Sequence, residues 1–106
     1  MAQFDVHRNP GKNRDAMPYV VVLQSAAYDG HDRRVVAPLT KQVIAGRAPH
    51  ALLTPTFVVG GVTVFLNPFD LVSVPVGQLG PKVASLSRHG DKLIAALDQL
   101  FTRVWG

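Results

Sequence analysis

The chain of 106 residues contains no cysteine. Disulfide frameworks, thiolate zinc sites, iron–sulfur clusters and cysteine nucleophiles are thereby excluded. Charge is also scarce: Asp, Glu, Lys and Arg together make up only 17% of residues, against 47% hydrophobic. So apolar and lightly charged a chain folds rather than staying disordered. No apolar run approaches the roughly 20 residues that span a bilayer, and residues 1–15 lack the apolar stretch of a secretory signal. The chain is expected to form a single cytoplasmic domain over residues 1–106, with no membrane partner. The net charge of +4 comes from scattered basic residues, with no run of five or more like charges, so no nucleic-acid arm is expected.

Motifs for chemistry are missing as well. The four histidines, at 7, 31, 50 and 89, never stand at i, i+4, so a helical zinc site is absent, and no metal or cofactor is expected. There is no G-x-S-x-G elbow. Gly60-Gly61 lacks a following Lys-Ser/Thr and reads as a turn, not a phosphate cradle. The most chemical-looking stretch is Asp29-Gly30-His31-Asp32-Arg33-Arg34. His31 beside Arg33 and Arg34 suits acid–base cleavage of RNA. The alternative is a polar loop whose arginines enter a strand edge and discourage aggregation.

What is present is β-rich. Phe4–His7 alternates as a half-buried strand does, and Asn9–Asn13 is a turn. Tyr19–Gln24 is a β-branched run that reads as a strand buried on both faces, or buried on one face and at an interface on the other. Arg34–Leu39 reads as a strand with Pro38 near its end. Thr40–Ala48 has the makings of a short helical turn, and His50–Pro55 is ambiguous. Thr56–Val59 and Val62–Leu66 flank Gly60-Gly61, the mark of a hairpin with a primed turn. Leu71–Val76, broken by Pro75, is an edge or bulged strand. Then the period changes. Leu93, Ala96, Leu97, Leu100, Phe101 and Val104 share one face of a helix, with Ser87 as N-cap and Asp91 and Arg103 placed to suit the dipole. The expected fold is mainly β, an antiparallel sheet with one C-terminal helix packed on it. The lone tryptophan, Trp105, either caps the core or anchors a partner.

Set in order, Gln3-Phe4 with Val6, Val22-Leu23-Gln24-Ser25, Arg33-Arg34 followed by Pro38-Leu39, Pro55, Ser73-Val74-Pro75-Val76, Val83, Leu86-Ser87 and Ala96-Leu97-Asp98 resemble the CcdB family of toxins from bacterial toxin–antitoxin modules. The resemblance runs from about Gln3 to Phe101. It implies an SH3-like barrel or sheet with a C-terminal helix, assembled as a homodimer. It implies a non-enzymatic poison that binds the GyrA subunit of DNA gyrase and traps the cleaved DNA complex, neutralised by an acidic, disordered segment of a CcdA-like antitoxin. Carried over by position, gyrase contacts fall at Ser25, Ala27, Asp98, Thr102, Arg103, Val104, Trp105 and Gly106. Arg14, Arg33 and Arg34 are expected to meet the antitoxin. Family members commonly end in a short Gly-Ile or Trp-Gly-Ile tail; here Trp-Gly is present without the Ile, and counted from Ala96-Leu97-Asp98 that tail falls at Thr102–Val104, with Trp105-Gly106 as an extension. The alternatives are a ribonuclease toxin like MazF, a family sharing the fold, or a CcdB-like dimer that has lost toxicity. The excess of apolar residues fits burial against a symmetric copy.

Overall fold

A computed structural model describes residues 2–41 and 51–102. The strands are β1 (Asp5–Arg8), β2 (Tyr19–Val22), β3 (Arg33–Lys41), β4 (Thr56–Val59), β5 (Val62–Leu66), β6 (Val72–Pro75) and β7 (Lys82–Ser85), followed by helix α1 (Gly90–Phe101). They form one curled antiparallel sheet in the order β4-β5-β3-β2-β1-β7, with β6 paired to β3. No helix among the described residues is long and apolar enough to cross a membrane. The expectation of a mainly β fold, an antiparallel sheet with a C-terminal helix, holds for the described residues.

β3 organises the sheet. One edge pairs with β2 from Val36 to Leu39. The other edge pairs first with β6, over Arg33–Val36, and then with β5, over Leu39–Lys41. Pro38 thus lies inside a nine-residue strand and not near its end, as the sequence suggested. Its carbonyl accepts the Asn67 N–H at 3.0 Å on the β5/β6 side. The missing N–H of Pro38 faces that same side, in the gap where β3 changes partner, so no ladder bond is lost. The segment Thr40–Ala48, expected as a helical turn, begins instead as the end of β3, and its residues from 42 onward lie outside the described ones.

The β4–β5 hairpin matches its signature. Gly60 and Gly61 have φ of 57° and 77°, the left-handed conformation that a type I′ turn requires at both central positions. Its buried alternate residues, Phe57, Val59, Val64 and Leu66, join Val6, Val21 and Leu39 in the main core, under the Leu93 and Ala96 face of α1. The opposite face carries a smaller cluster of Val20, Val22 and Val36, covered by Val74 and Leu79. β2 is buried on both faces, as its β-branched run predicted.

β1 departs from expectation. Asp5, Val6 and His7 are all buried, so it is not half-buried. Asp5 meets the Lys82 ammonium at 3.3 Å and accepts the Ala2 N–H. His7 Nδ1 lies 2.9 Å from the Gly80 carbonyl oxygen, a contact that requires the proton on Nδ1. Phe4 precedes the strand at φ 70°, and its ring packs where a Gly90 Cβ would stand, 2.6 Å from Phe4 Cε2. Only glycine fits at the first residue of α1. The expected cap is also corrected. Ser87 opens a 3-10 turn (Ser87–His89) ahead of the helix, and His89 occupies the N-cap position without a side-chain bond. Asp91 is in the first turn as the dipole favours. β7, which showed no strand signal of its own, forms by pairing with β1.

Candidate functional site

The first candidate region is the turn after β2. Ser25 Oγ accepts the Ala27 N–H at 3.2 Å and caps a 3-10 turn, Ala26–Tyr28. Two long polar side chains hold this turn to the sheet. Gln24 donates to the carbonyls of Tyr28 (3.1 Å) and Arg33 (3.2 Å), and its own oxygen accepts the Val35 N–H. Arg34, expected as an antitoxin contact, is only 4% exposed. Its guanidinium donates to the carbonyls of His31 (2.6 Å), Arg33 (3.0 Å) and Asp29 (2.5 Å), with the Asp29 carboxylate at 3.9 Å. A buried cation bonded to three carbonyls holds the loop that follows this turn, from Asp29 to Arg33.

The fixed turn presents Tyr28, 58% exposed, with its ring 6.1 Å from that of His31. Gln24, Tyr28, His31 and Arg33 line a shallow hollow of about 250 Å³. Sequence reasoning singled out Ser25 and Ala27 and missed both the tether at Gln24 and the exposed ring at Tyr28. A glutamine at a strand end and a tyrosine beside a Gly-containing loop are signals only once the turn is seen.

Arg33 is exposed and does something different. Its Nε donates to Ser73 Oγ and its Nη2 to the Ser73 carbonyl, both at 2.8 Å. The Val35 carbonyl is taken by Leu23 N–H, so Val35 and Ser73 face each other as a non-hydrogen-bonded pair. The backbone groups of Ser73 therefore point to the open edge of β6. Arg33 covers its carbonyl there, and Pro75 offers no N–H. Arg33 thus protects the β6 edge from within β3; the polar-loop alternative put both arginines on a strand edge, but Arg34 is buried. Arg33 shares the hollow with His31, whereas Arg34 spends its guanidinium on backbone carbonyls.

The second candidate region is the end of α1. Thr102, its C-cap, donates its hydroxyl to the Asp98 carbonyl (2.6 Å) and carboxylate (2.7 Å), and its N–H to the same carbonyl (2.8 Å). Asp98 and Thr102, chosen separately from the sequence, thus form one unit. Ile94, Asp98 and Phe101 share an outward stripe at i, i+4 and i+7, and Phe101 is 62% exposed. The core-facing periodicity therefore fails at Phe101; Val104, also assigned to it, lies outside the described residues. Arg103, Val104, Trp105 and Gly106 lie outside the described residues.

Arg14 stands apart from both regions, on the β1–β2 loop, exposed, with its Nε donating to the Gly11 carbonyl at 3.0 Å. Among the described residues no group of three or more His, Asp or Glu could hold a metal ion.

No curated protein matches the chain. A family model, the CcdB protein, matches residues 3–103, which takes in every described strand, the helix and both candidate regions. The antiparallel half-barrel with one C-terminal helix and the span of that match lead to one conclusion: the chain belongs to the CcdB family, the toxins of toxin–antitoxin modules.

Proposed function

We propose that the chain is a non-enzymatic gyrase poison, acting as a homodimer that binds the GyrA subunit of DNA gyrase and traps the cleaved complex. The observation that carries this reading is the family match over residues 3–103. Two features support the choice of surface. The turn at Ser25 and Ala27 is held by Gln24 and Arg34 before any partner arrives, which lowers the ordering cost of binding. The helix end offers the bonded pair Asp98–Thr102 beside exposed Phe101. The gyrase-contacting set is Ser25, Ala27, Asp98 and Thr102, continued by Arg103, Val104, Trp105 and Gly106. A dimer is supported by large apolar side chains left exposed on the monomer, among them Val58, Phe69 and Leu52.

Neutralisation falls to an acidic, disordered antitoxin segment drawn by the net charge of +4. Arg14 and Arg33 meet it directly, and Arg34 acts by holding the turn. Supercoiling and cleavage assays with purified gyrase test the poisoning. Accumulation of cleaved DNA is the expected result; unimpeded supercoiling at saturating protein refutes it and leaves a non-toxic, antitoxin-binding dimer. Sedimentation of the purified protein tests the dimer.

A further inference from the structure

The acidic side chains of the chain are all aspartates, and one of them, Asp29, precedes a glycine. That pair has a chemistry of its own. The peptide nitrogen that follows an aspartate can attack the side-chain carboxyl, and glycine has no Cβ to shield that nitrogen. The sequence holds no Asn-Gly, the other pair that reacts in this way.

The fold leaves both reacting groups accessible. Asp29 closes the 3-10 turn with φ −64° and ψ −15°, its N–H bonded to the Ala26 carbonyl. Gly30 is exposed, and its N–H makes no hydrogen bond among the described residues. No atom lies within 4 Å of the place where a Gly30 Cβ would stand, so this peptide plane turns toward the carboxyl without displacing a neighbour. The Asp29 side chain is 39% exposed and meets the Arg34 Nε at 3.9 Å, too long for a hydrogen bond. Other aspartates are engaged and precede bulkier residues: Asp5 is buried against Lys82, Asp70 accepts from Asn67, and Asp98 accepts from Thr102.

Arg34 prepares the pair. Its Nη2 donates to the Asp29 carbonyl oxygen at 2.5 Å. A guanidinium on that oxygen draws electron density from the Asp29–Gly30 peptide bond and makes the Gly30 N–H more acidic, hence its nitrogen a readier nucleophile. One cation therefore lies against both the carboxyl and the amide that would join.

We propose that Asp29-Gly30 is a self-modification site, at which the folded chain converts Asp29 to isoaspartate. The Gly30 nitrogen bonds to Asp29 Cγ. Its proton, one carboxylate oxygen and a second proton from solvent leave as water. A water molecule then opens the five-membered imide between the Gly30 nitrogen and the former main-chain carbonyl carbon, and the solvent proton is returned. The chain now runs through Asp29 Cβ and Cγ, one methylene longer, and the old main-chain carbonyl is a free carboxylate. No atom is gained or lost overall, and nothing is oxidised or reduced. The new carboxylate forms on the carbon whose oxygen Nη2 already bonds, so Arg34 favours the product as well as the closure. This chemistry needs no partner and is independent of the gyrase and antitoxin assignments.

For the test, the full-length protein is kept at neutral pH and growth temperature for several weeks and then digested with trypsin. Peptide 15–33 carries Asp15, Asp29 and Asp32. It is expected to split into two chromatographic peaks of equal mass, and radical fragmentation is expected to place isoaspartate at 29 and not at 15 or 32. Gly30→Ala, for which the structure has room, lowers the isomer at least tenfold. The native rate stays within about tenfold of the rate of the same chain in urea. Arg34→Gln slows the reaction several-fold in native buffer, whereas in urea it ages like wild type. A single peak from aged wild type, equal isomer in Gly30→Ala, or isomer that forms in urea but not in the native protein overturns the site. Equal or faster isomerisation of folded Arg34→Gln overturns the part given to the guanidinium.

Discussion

The turn after β2 and the end of α1 are assigned to the same partner but are built in opposite ways. The turn is held from outside itself. Gln24 ties it to the first residues of β3, and Arg34, rooted in β3, reaches back to the carbonyls of Asp29 and His31 just after it. The helix end, among the described residues, is held from within: Thr102 bonds one turn back, to Asp98, and the neighbouring Phe101 is exposed. A region with cross-braces keeps its shape as long as the sheet does, whereas a region with i, i+4 bonds frays with its own last turn.

Removing the brace has the largest effect. Arg34→Ala strips three carbonyls of a charged donor in a buried place and should cost about 3 kcal/mol in urea unfolding. Partner binding should fall by more than the stability loss explains, because the turn loses its shape. Arg34→Lys should recover little, since one ammonium cannot serve three carbonyls in a planar fork. At the start of the helix, Gly90→Ala drives a methyl group into the Phe4 ring and should lower stability by about 1–3 kcal/mol, read from the thermal midpoint. Ser25→Ala removes the cap of the 3-10 turn and should cost about 1 kcal/mol. Thr102→Ala has the smallest effect on folding, about 0.5 kcal/mol, because its bonds are exposed. If Thr102→Ala destabilises as much as Arg34→Ala, the contrast between braced and unbraced regions is wrong. If it leaves stability intact yet reduces gyrase inhibition, the contrast is sharpened.

Local chemistry made some elements readable. Gly60-Gly61 between β-branched runs can only turn tightly, and the spacing of Leu93, Ala96 and Leu97 admits one helical face. Elements that owe their existence to a neighbour were not readable. Lys82–Ser85 is four residues with little alternation of burial, and it becomes a strand because β1 offers it an edge. Pro38 looked like a strand end because a proline costs a ladder bond, and nothing local tells of a change of partner at that point. At the candidate site, Ser25, Ala27, Asp98 and Thr102 came from family position. The division of labour between the adjacent arginines did not. Strand alternation sends Arg33 outward to Ser73 and Arg34 inward to the turn, and which of the two goes inward depends on the register of β3.

The pairing of β1 with β7 has a consequence for how the molecule comes into being. The outer edge of the first strand, Asp5–His7, finds its partner only in residues 82–85. During synthesis that edge stays open until most of the chain has left the ribosome, since contacts so far apart in sequence form late. The helix that carries Asp98 follows later still. A chain cut short by interrupted translation lacks both the strand that closes the sheet and the helix that bears half the proposed binding surface. Unfinished copies would therefore be unable to act, and the cell would meet the toxin only as a complete chain.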